Sequence, residues 1–265
     1  MGEAQTIQKV ADRLDPGRAA ALHAALGRSG AAPEVGEALP GFWHHIYFWD
    51  VAAPEALGAD GHPVRGGLIP DLGLPRRMWA GGRLTFHAPL LCGVRAEKHT
   101  SLSSTARKAG RSGALAFVTL RHEIRQRGAL VLSEEQDLVY RQADAPAATP
   151  PEPPPGGALL ATFQFNSTVL FRYSALTMNG HRIHYDADYA REVEGYAGLV
   201  VHGPLLAQIL VGLAEAALGP LACFSFRATA PVIAGEDVRF YRKEGTFWAV
   251  APGGRLAMTA EARGR

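Results

Sequence analysis

Along residues 115–122 the chain alternates strictly: Leu115, Phe117, Thr119 and Arg121 share one phase, and Ala116, Val118, Leu120 and His122 share the other. A period of two marks a strand, and apolar residues on both phases predict a sheet wrapped on something. The runs VRAEKHTSLSSTARKAG and ALVLSEEQDLVYR flank it, set off by glycine turns at residues 110–113 and at Arg127 and Gly128, and read as its antiparallel neighbours. Upstream, the pattern changes to helical spacing over residues 16–27, with Ala20, Leu22, Ala25 and Leu26 on the apolar side.

Periodicity vanishes over residues 143–157, ADAPAATPPEPPPGG, where proline and alanine predict a stiff, solvated spacer. We therefore divide the chain into an amino-terminal half (1–142), a linker (143–157) and a carboxy-terminal half (158–265). The second half opens with a strand near ATFQFN and continues through a histidine-bearing segment and a short helix. A long apolar helix follows, begun by Gly203 and Pro204 and stopped by Gly219 and Pro220. Leu206, Leu210 and Leu213 form one face of it, with Leu205 and Ile209 beside them, so it is expected to be buried on most sides. Four strand-like runs close the chain: ACFSFRATAPV, EDVRFYRKEG, TFWAVAPGG and RLAMTAEARG. A buried helix followed by a strand meander long enough to wrap it, with a similar meander before the linker, predicts an α+β double hot-dog, two antiparallel sheets each around a helix.

Composition narrows the function classes. Of the 265 residues, 47% are hydrophobic and 20% charged, which suits a soluble chain with a large core. The formal net charge of +2 comes without a basic stripe, so nucleic acid is not an expected partner. Cys92 and Cys223 are far apart and outside any paired motif, which argues against disulfides and structural zinc and for a reducing compartment. No stretch approaches the roughly 20 apolar residues of a membrane span, and the first residues lack a signal-like apolar run, so a cytoplasmic protein is expected.

The chemistry concentrates in YSALTMNGHRIHYD, residues 173–186, followed by GYAGLVVHGPLLAQIL. This resembles the hydratase-2 (MaoC-like) motif and its hot-dog helix: His184 and Asp186 match, whereas Asn179 stands where that family's catalytic aspartate is usual. RRMWAGGRLTFHAPL and KAGRSGALAFVTLRHEI resemble the fused two-domain acyl-thioester dehydratases, which include itaconyl-CoA and mesaconyl-CoA hydratases and type 2 hydroxyacyl-thioester dehydratases. The resemblance covers most of residues 40–260. It implies hydration of a short 2-enoyl-CoA, plausibly a branched dicarboxylic one. The alternatives are a dehydratase of fatty-acid synthesis, a hot-dog thioesterase, and a non-catalytic acyl-CoA-binding protein. Coenzyme A enters only as part of the substrate, with no other cofactor and no metal, and the resemblance implies a homodimer.

Water addition needs a base, an acid for the α-carbon and a donor for the enolate oxygen. A neutral imidazole at His184 can take and return the proton, and the Asn179 amide can hold the water without titrating. The enolate oxygen wants backbone N–H groups at a helix start, which points to residues 198–203, with Gly203 or His202 as donor and Gly198 in the same segment. His181 reads either as a substrate contact or as a loop hydrogen bond, and His202 as a pocket wall or a core residue. Asp186 is expected to cap the short helix after it. Arg182 fits either a loop lock or a free substrate carboxylate. Arg107, Lys108 and Arg111, placed on a turn, are candidates for coenzyme A phosphates, with a solvated turn as the alternative.

Overall fold

The computed structural model describes residues 6–64, 67–110, 113–142 and 149–265. Arg111 and residues 143–148 of the expected linker lie outside them. Ten strands form one continuous antiparallel sheet. In chain order they are β1 (Ile7–Arg13), β2 (Arg76–Phe86), β3 (Arg95–Gly110), β4 (Gly113–Gln126), β5 (Ala129–Arg141), β6 (Ala158–Gln164), β7 (Leu221–Ala228), β8 (Asp237–Lys243), β9 (Thr246–Ala251) and β10 (Arg255–Gly264). Their order across the sheet is β1-β3-β4-β5-β2-β7-β10-β9-β8-β6, so every strand of the first half lies on one side and every strand of the second half on the other. The seam is β2 against β7, with Gly81 opposite Arg227 and Thr85 opposite Cys223. Close approach is built into it, since a β-carbon on Gly81 would stand 2.5 Å from the Phe226 carbonyl oxygen.

Three α-helices accompany the sheet: α1 (Pro16–Ala25), α2 (Ser167–Thr177) and α3 (Gly203–Leu218). The long apolar helix lies where its pattern predicts and packs on β7, β9 and β10, with Leu205, Leu206, Leu210 and Val211 buried. Leu213 is only partly buried at the margin of that core. α1 starts as its sequence dictates: the Asp15 side chain accepts from the Gly17 N–H (2.6 Å), Pro16 needs no acceptor, and Gly27 leaves the helix at φ 60°. Ten residues long, it packs against α2 and the 3-10 turn Trp43–Ile46, so the described residues of the first half hold no counterpart to α3.

Strand β4 buries Ala116, Val118, Leu120, His122, Ile124 and Gln126 in strict alternation, as the pattern predicts, while the opposite phase is largely half-buried. Helix α2 escaped the sequence analysis. Its β-branched and aromatic residues resemble a strand, yet the Asn166 side chain caps it by accepting from Val169 N–H at 3.0 Å. Arg107 and Lys108 sit within β3 and not on a turn, because the β3–β4 ladder continues to Gly110 opposite Gly113.

Leu210→Ala, which empties a fully buried site on α3, is expected to cost about 2–5 kcal/mol in urea denaturation. Phe171→Ser, on an exposed position of α2, is expected to change stability by less than about 0.5 kcal/mol in the same assay.

Candidate active site

Helix α2 delivers the histidine segment through a tight reversal. Met178 takes a left-handed conformation (φ 52°), Asn179 N–H returns to the Ser174 carbonyl (2.9 Å), and the Asn179 Oδ1 accepts the His181 N–H (3.0 Å). The amide thus shapes the loop with one oxygen lone pair and keeps its NH2 group free for other work. A single 3-10 turn, Arg182–His184, follows. Asp186 then caps the next turn as expected, accepting from Tyr189 N–H (3.0 Å). It also fixes Arg182, whose Nη2 lies 2.7 Å from Asp186 Oδ2, whose guanidinium stacks 4.1 Å from the Tyr189 ring and whose Nη1 donates to the Ala59 carbonyl (3.2 Å). Arg182 is therefore a loop lock.

His184 is 7% exposed and donates from Nδ1 to the Val200 carbonyl at 2.7 Å. That bond fixes the tautomer and leaves Nε2 with a lone pair. Burial pushes its pKa down to about 4, so the ring is neutral near pH 7. It stacks on His202, with centroids 3.6 Å apart, and His202 Nε2 meets Ser174 Oγ at 2.8 Å. His202 directly precedes α3, and its carbonyl accepts the Leu205 and Leu206 N–H groups. Pro204 carries no N–H, and the Gly203 amide has no acceptor among the described residues.

These groups open on one cavity of about 950 Å³. His181, His184, Asn179 and Gly203 line it, with Tyr173 and Ser174 from α2. Buried His202 stands behind His184. Gly198, Arg182, Arg107 and Lys108 do not line the cavity. Gly198 packs under Ile233, and the Lys108 ammonium lies over the Phe117 ring at 5.2 Å.

Half of the cavity wall comes from the amino-terminal half, which the sequence analysis left without a catalytic motif. Asp60 and His62 form one pair: His62 Nδ1 donates to Asp60 Oδ2 (3.2 Å) and its backbone N–H to Oδ1 (3.0 Å). Burial opposes ionisation of Asp60, but these hydrogen bonds hold its carboxyl below the usual range. The His62 ring lies 4.3 Å from His181, which lies 5.6 Å from His184. Burial, with His62 and His184 beside it, lowers His181 to about 3. Deeper in, Glu134, 2% exposed, accepts from His44 Nε2 at 2.8 Å. His45 Nε2 stands 3.2 Å from its other oxygen, near enough to attract but misaligned for a hydrogen bond. Burial disfavours the Glu134 carboxylate, yet His45 and His44 keep it well below its usual pKa. Burial and His45 lower His44 to about 4, and burial lowers His122 to about 4. Lys98 and Arg77 also line the cavity.

Two trios among the described residues, His44-His45-Glu134 and Asp60-His62-His181, bring metal-ligand atoms within 4.8 Å of one another. In each, the carboxylate already takes an imidazole N–H. One signal in the sequence marks the inner group: His122 and Glu134 occupy buried phases of β4 and β5, where a polar side chain needs a partner.

Comparison with known proteins gives the family and the fold. The family model for hydroxyacyl-thioester dehydratase type 2 matches residues 42–234. The mesaconyl-C(4)-CoA hydratase of Chloroflexus aurantiacus is 46% identical over 229 residues, 85% of this chain and 82% of that protein. Among solved structures, HtdX of Mycobacterium tuberculosis superposes with a TM-score of 0.71 at 18% identity, covering 98% of this chain and 100% of that one. A second Mycobacterium tuberculosis protein, described as having a double hot-dog fold, gives 0.62 at 15% identity over 98% and 95% of the two chains. The α+β double hot-dog expectation holds for the fold, but the two halves share one continuous sheet, and among the described residues the first half wraps no long helix.

The depressed imidazoles set a pH dependence. The unfolded chain takes protons near pH 6.5, while native His44, His122 and His184 refuse them down to about 4. More protons bound in the unfolded state means stability rises with pH across this window; it is complete above 6.5 and lost as pH falls towards 4. Each such imidazole adds up to about 1.4 kcal/mol per pH unit. The urea midpoint is expected to fall steadily from pH 6.5 towards 4, and a flat profile there would contradict the buried neutral rings.

Proposed function

The chain belongs to the hydroxyacyl-thioester dehydratase type 2 family, and from that premise we propose that it adds water across the double bond of a short 2-enoyl-CoA, a branched dicarboxylic one of the mesaconyl type. One observation carries the reading: His184, whose Nε2 keeps a lone pair, and Gly203, whose amide has no acceptor among the described residues, line the same cavity. The substrate carbonyl docks at Gly203, where the start of α3 offers a free donor and the positive end of the helix dipole to a developing enolate oxygen. A water between His184 and Asn179 attacks the β-carbon. Its O–H bond breaks towards His184 Nε2, its oxygen bonds to carbon, and the imidazolium returns the proton to the α-carbon. The product is a 3-hydroxyacyl thioester with the thioester bond intact, and the reverse sequence is dehydration. Coenzyme A takes part only as the thioester's carrier.

The inner wall supports a short polar acyl group over a fatty chain. His44, His45, Lys98, His122 and Glu134 all line the cavity, and an alkyl tail laid against them would strip their solvation without replacing it. Among the described residues no helix is long and apolar enough to cross a membrane.

Incubation with a panel of enoyl- and hydroxyacyl-CoA thioesters, followed by mass, is expected to show gain or loss of one water without release of free thiol, fastest on mesaconyl or itaconyl forms. Free thiol as product would instead mark a thioesterase. His184→Ala is expected to lower kcat by about a hundredfold or more. Asn179→Asp, whose carboxylate can still accept the His181 N–H, is expected to retain activity with a shifted pH profile. Near-normal rates in both variants would overturn the assignment.

A further inference from the structure

The attacking water has two hydrogens, and His184 accounts for one. Its proton transfer also creates an imidazolium in surroundings that hold imidazoles neutral, so a negative charge close by is needed to stabilise it. Asn179 carries none. Four carboxylates line the cavity: Asp50, Asp60, Glu134 and Glu194. Glu194 is drawn to Arg76 at 3.4 Å, and Glu134 is engaged by His44 and His45. Asp60 differs, because the loop that bears it is tied to the histidine segment itself. The Arg182 N–H, two residues before His184, donates to the Asp60 carbonyl (2.9 Å). Gly61, at φ +84°, lies against Gly180 so closely that any β-carbon would collide with the Gly180 carbonyl oxygen. The two loops, from opposite halves, form one unit.

In that unit an ionised Asp60 can only accept, so His62 Nδ1 carries the hydrogen of their 3.2 Å contact and Nε2 keeps a lone pair. His62 lines the cavity, with the His181 ring 4.3 Å away and His184 next beyond it. We infer that His62, oriented by Asp60, is a second catalytic residue: its Nε2 holds the other hydrogen of the attacking water, and the Asp60–His62 pair supplies the acceptor missing at position 179. The inference rests on the hydratase reading above. It places half of the catalytic machinery in the amino-terminal half of the chain. Asp60 acts through His62 and is a positioning residue. The proton still travels from water to His184 Nε2 and on to the α-carbon; His62 takes no net proton and forms no covalent bond. His181 neighbours both rings, and Arg77, the other charged group whose field reaches His62, opposes protonation of the ring and so preserves its lone pair.

The test is steady-state kinetics on the best thioester of the panel. His62→Ala is expected to lower kcat by about a hundredfold with KM changed by less than about threefold, and Asp60→Asn to lower kcat by about tenfold. The decisive arm is rescue. Adding Asn179→Asp to His62→Ala returns an acceptor and a negative charge to the water, and is expected to recover kcat by at least about tenfold. The same change added to His184→Ala is expected to recover nothing. A merely structural His62 would show no such selective rescue. Should His62→Ala not fold, His62→Leu, which fills the space but offers no acceptor, carries the same comparison. A kcat within about threefold of wild type for the single variant, or a double variant no faster than the single, would overturn the inference alone. A wild-type protein inert towards every thioester would overturn the hydratase reading and this inference with it.

Discussion

The hydrogen bond from His184 Nδ1 to the Val200 carbonyl is the constraint on which the site depends. At 2.7 Å in a buried setting, it decides which ring nitrogen bears the proton and where the other points. The same two segments are joined a second time by Val200 N–H to the Ile183 carbonyl (2.9 Å), and Val201 N–H continues into the sheet side at Val232 (2.8 Å). Through these bonds the strand-like approach to α3 and the 3-10 turn bearing His184 move as one piece. The base and the helix start therefore hold their spacing. Stacking of His184 on His202 locks the ring plane, and Ser174 Oγ holds His202 in turn.

Burial supplies the second ingredient. An imidazole in water is half protonated near pH 6.5, so a useful fraction is charged at physiological pH. Inside the cavity the cost of desolvating a charge keeps His184 neutral, which makes it ready to accept. The neighbouring rings reinforce this, since each of His62, His181, His184 and His202 has another imidazole close by and a proton on one disfavours a proton on the next. The arrangement lowers stability in acid, a cost set by the same physics that gives the base its free lone pair.

Local signals carried much of the architecture. The alternation over residues 115–122 placed β4, the Gly203-Pro204 start and Gly219-Pro220 stop framed α3, and the four closing runs became β7 to β10. The carboxy-terminal part of the site was legible for the same reason, because His181, His184 and Gly203 lie within one contiguous stretch. What stayed hidden is non-local. α2 reads as a strand by composition and is decided by its Asn166 cap and by packing on α1. Asp60 and His62 gain meaning only because their loop folds onto residues 179–182, more than a hundred positions away in sequence. Arg182 illustrates the reverse error: its fork geometry suits a substrate carboxylate, but Asp186 four residues on claims it first.

The seam between β2 and β7 explains why the amino-terminal half contributes at all. Joining the halves edge to edge brings Trp79 of β2 alongside Phe226 of β7, with Phe42 against both, and Phe42 and Trp79 pack against the His45 ring. Because the first half has no long helix to fill its concave face, the 3-10 turn Trp43–Ile46 and the segment around Asp60 occupy that space and present His44, His45 and His62 inward. Burying so many polar groups is unfavourable unless they find partners; Tyr173 Oη has no hydrogen-bond partner among the described residues, and His45 Nε2 and Glu134 Oε1 face each other at 3.2 Å without a hydrogen bond. Unmet polar atoms at the inner end of a reactive cavity are strain kept for a ligand. On the hydratase reading, that ligand is the polar end of a short acyl chain, whose oxygens can accept from the donors a hydrocarbon tail would leave bare.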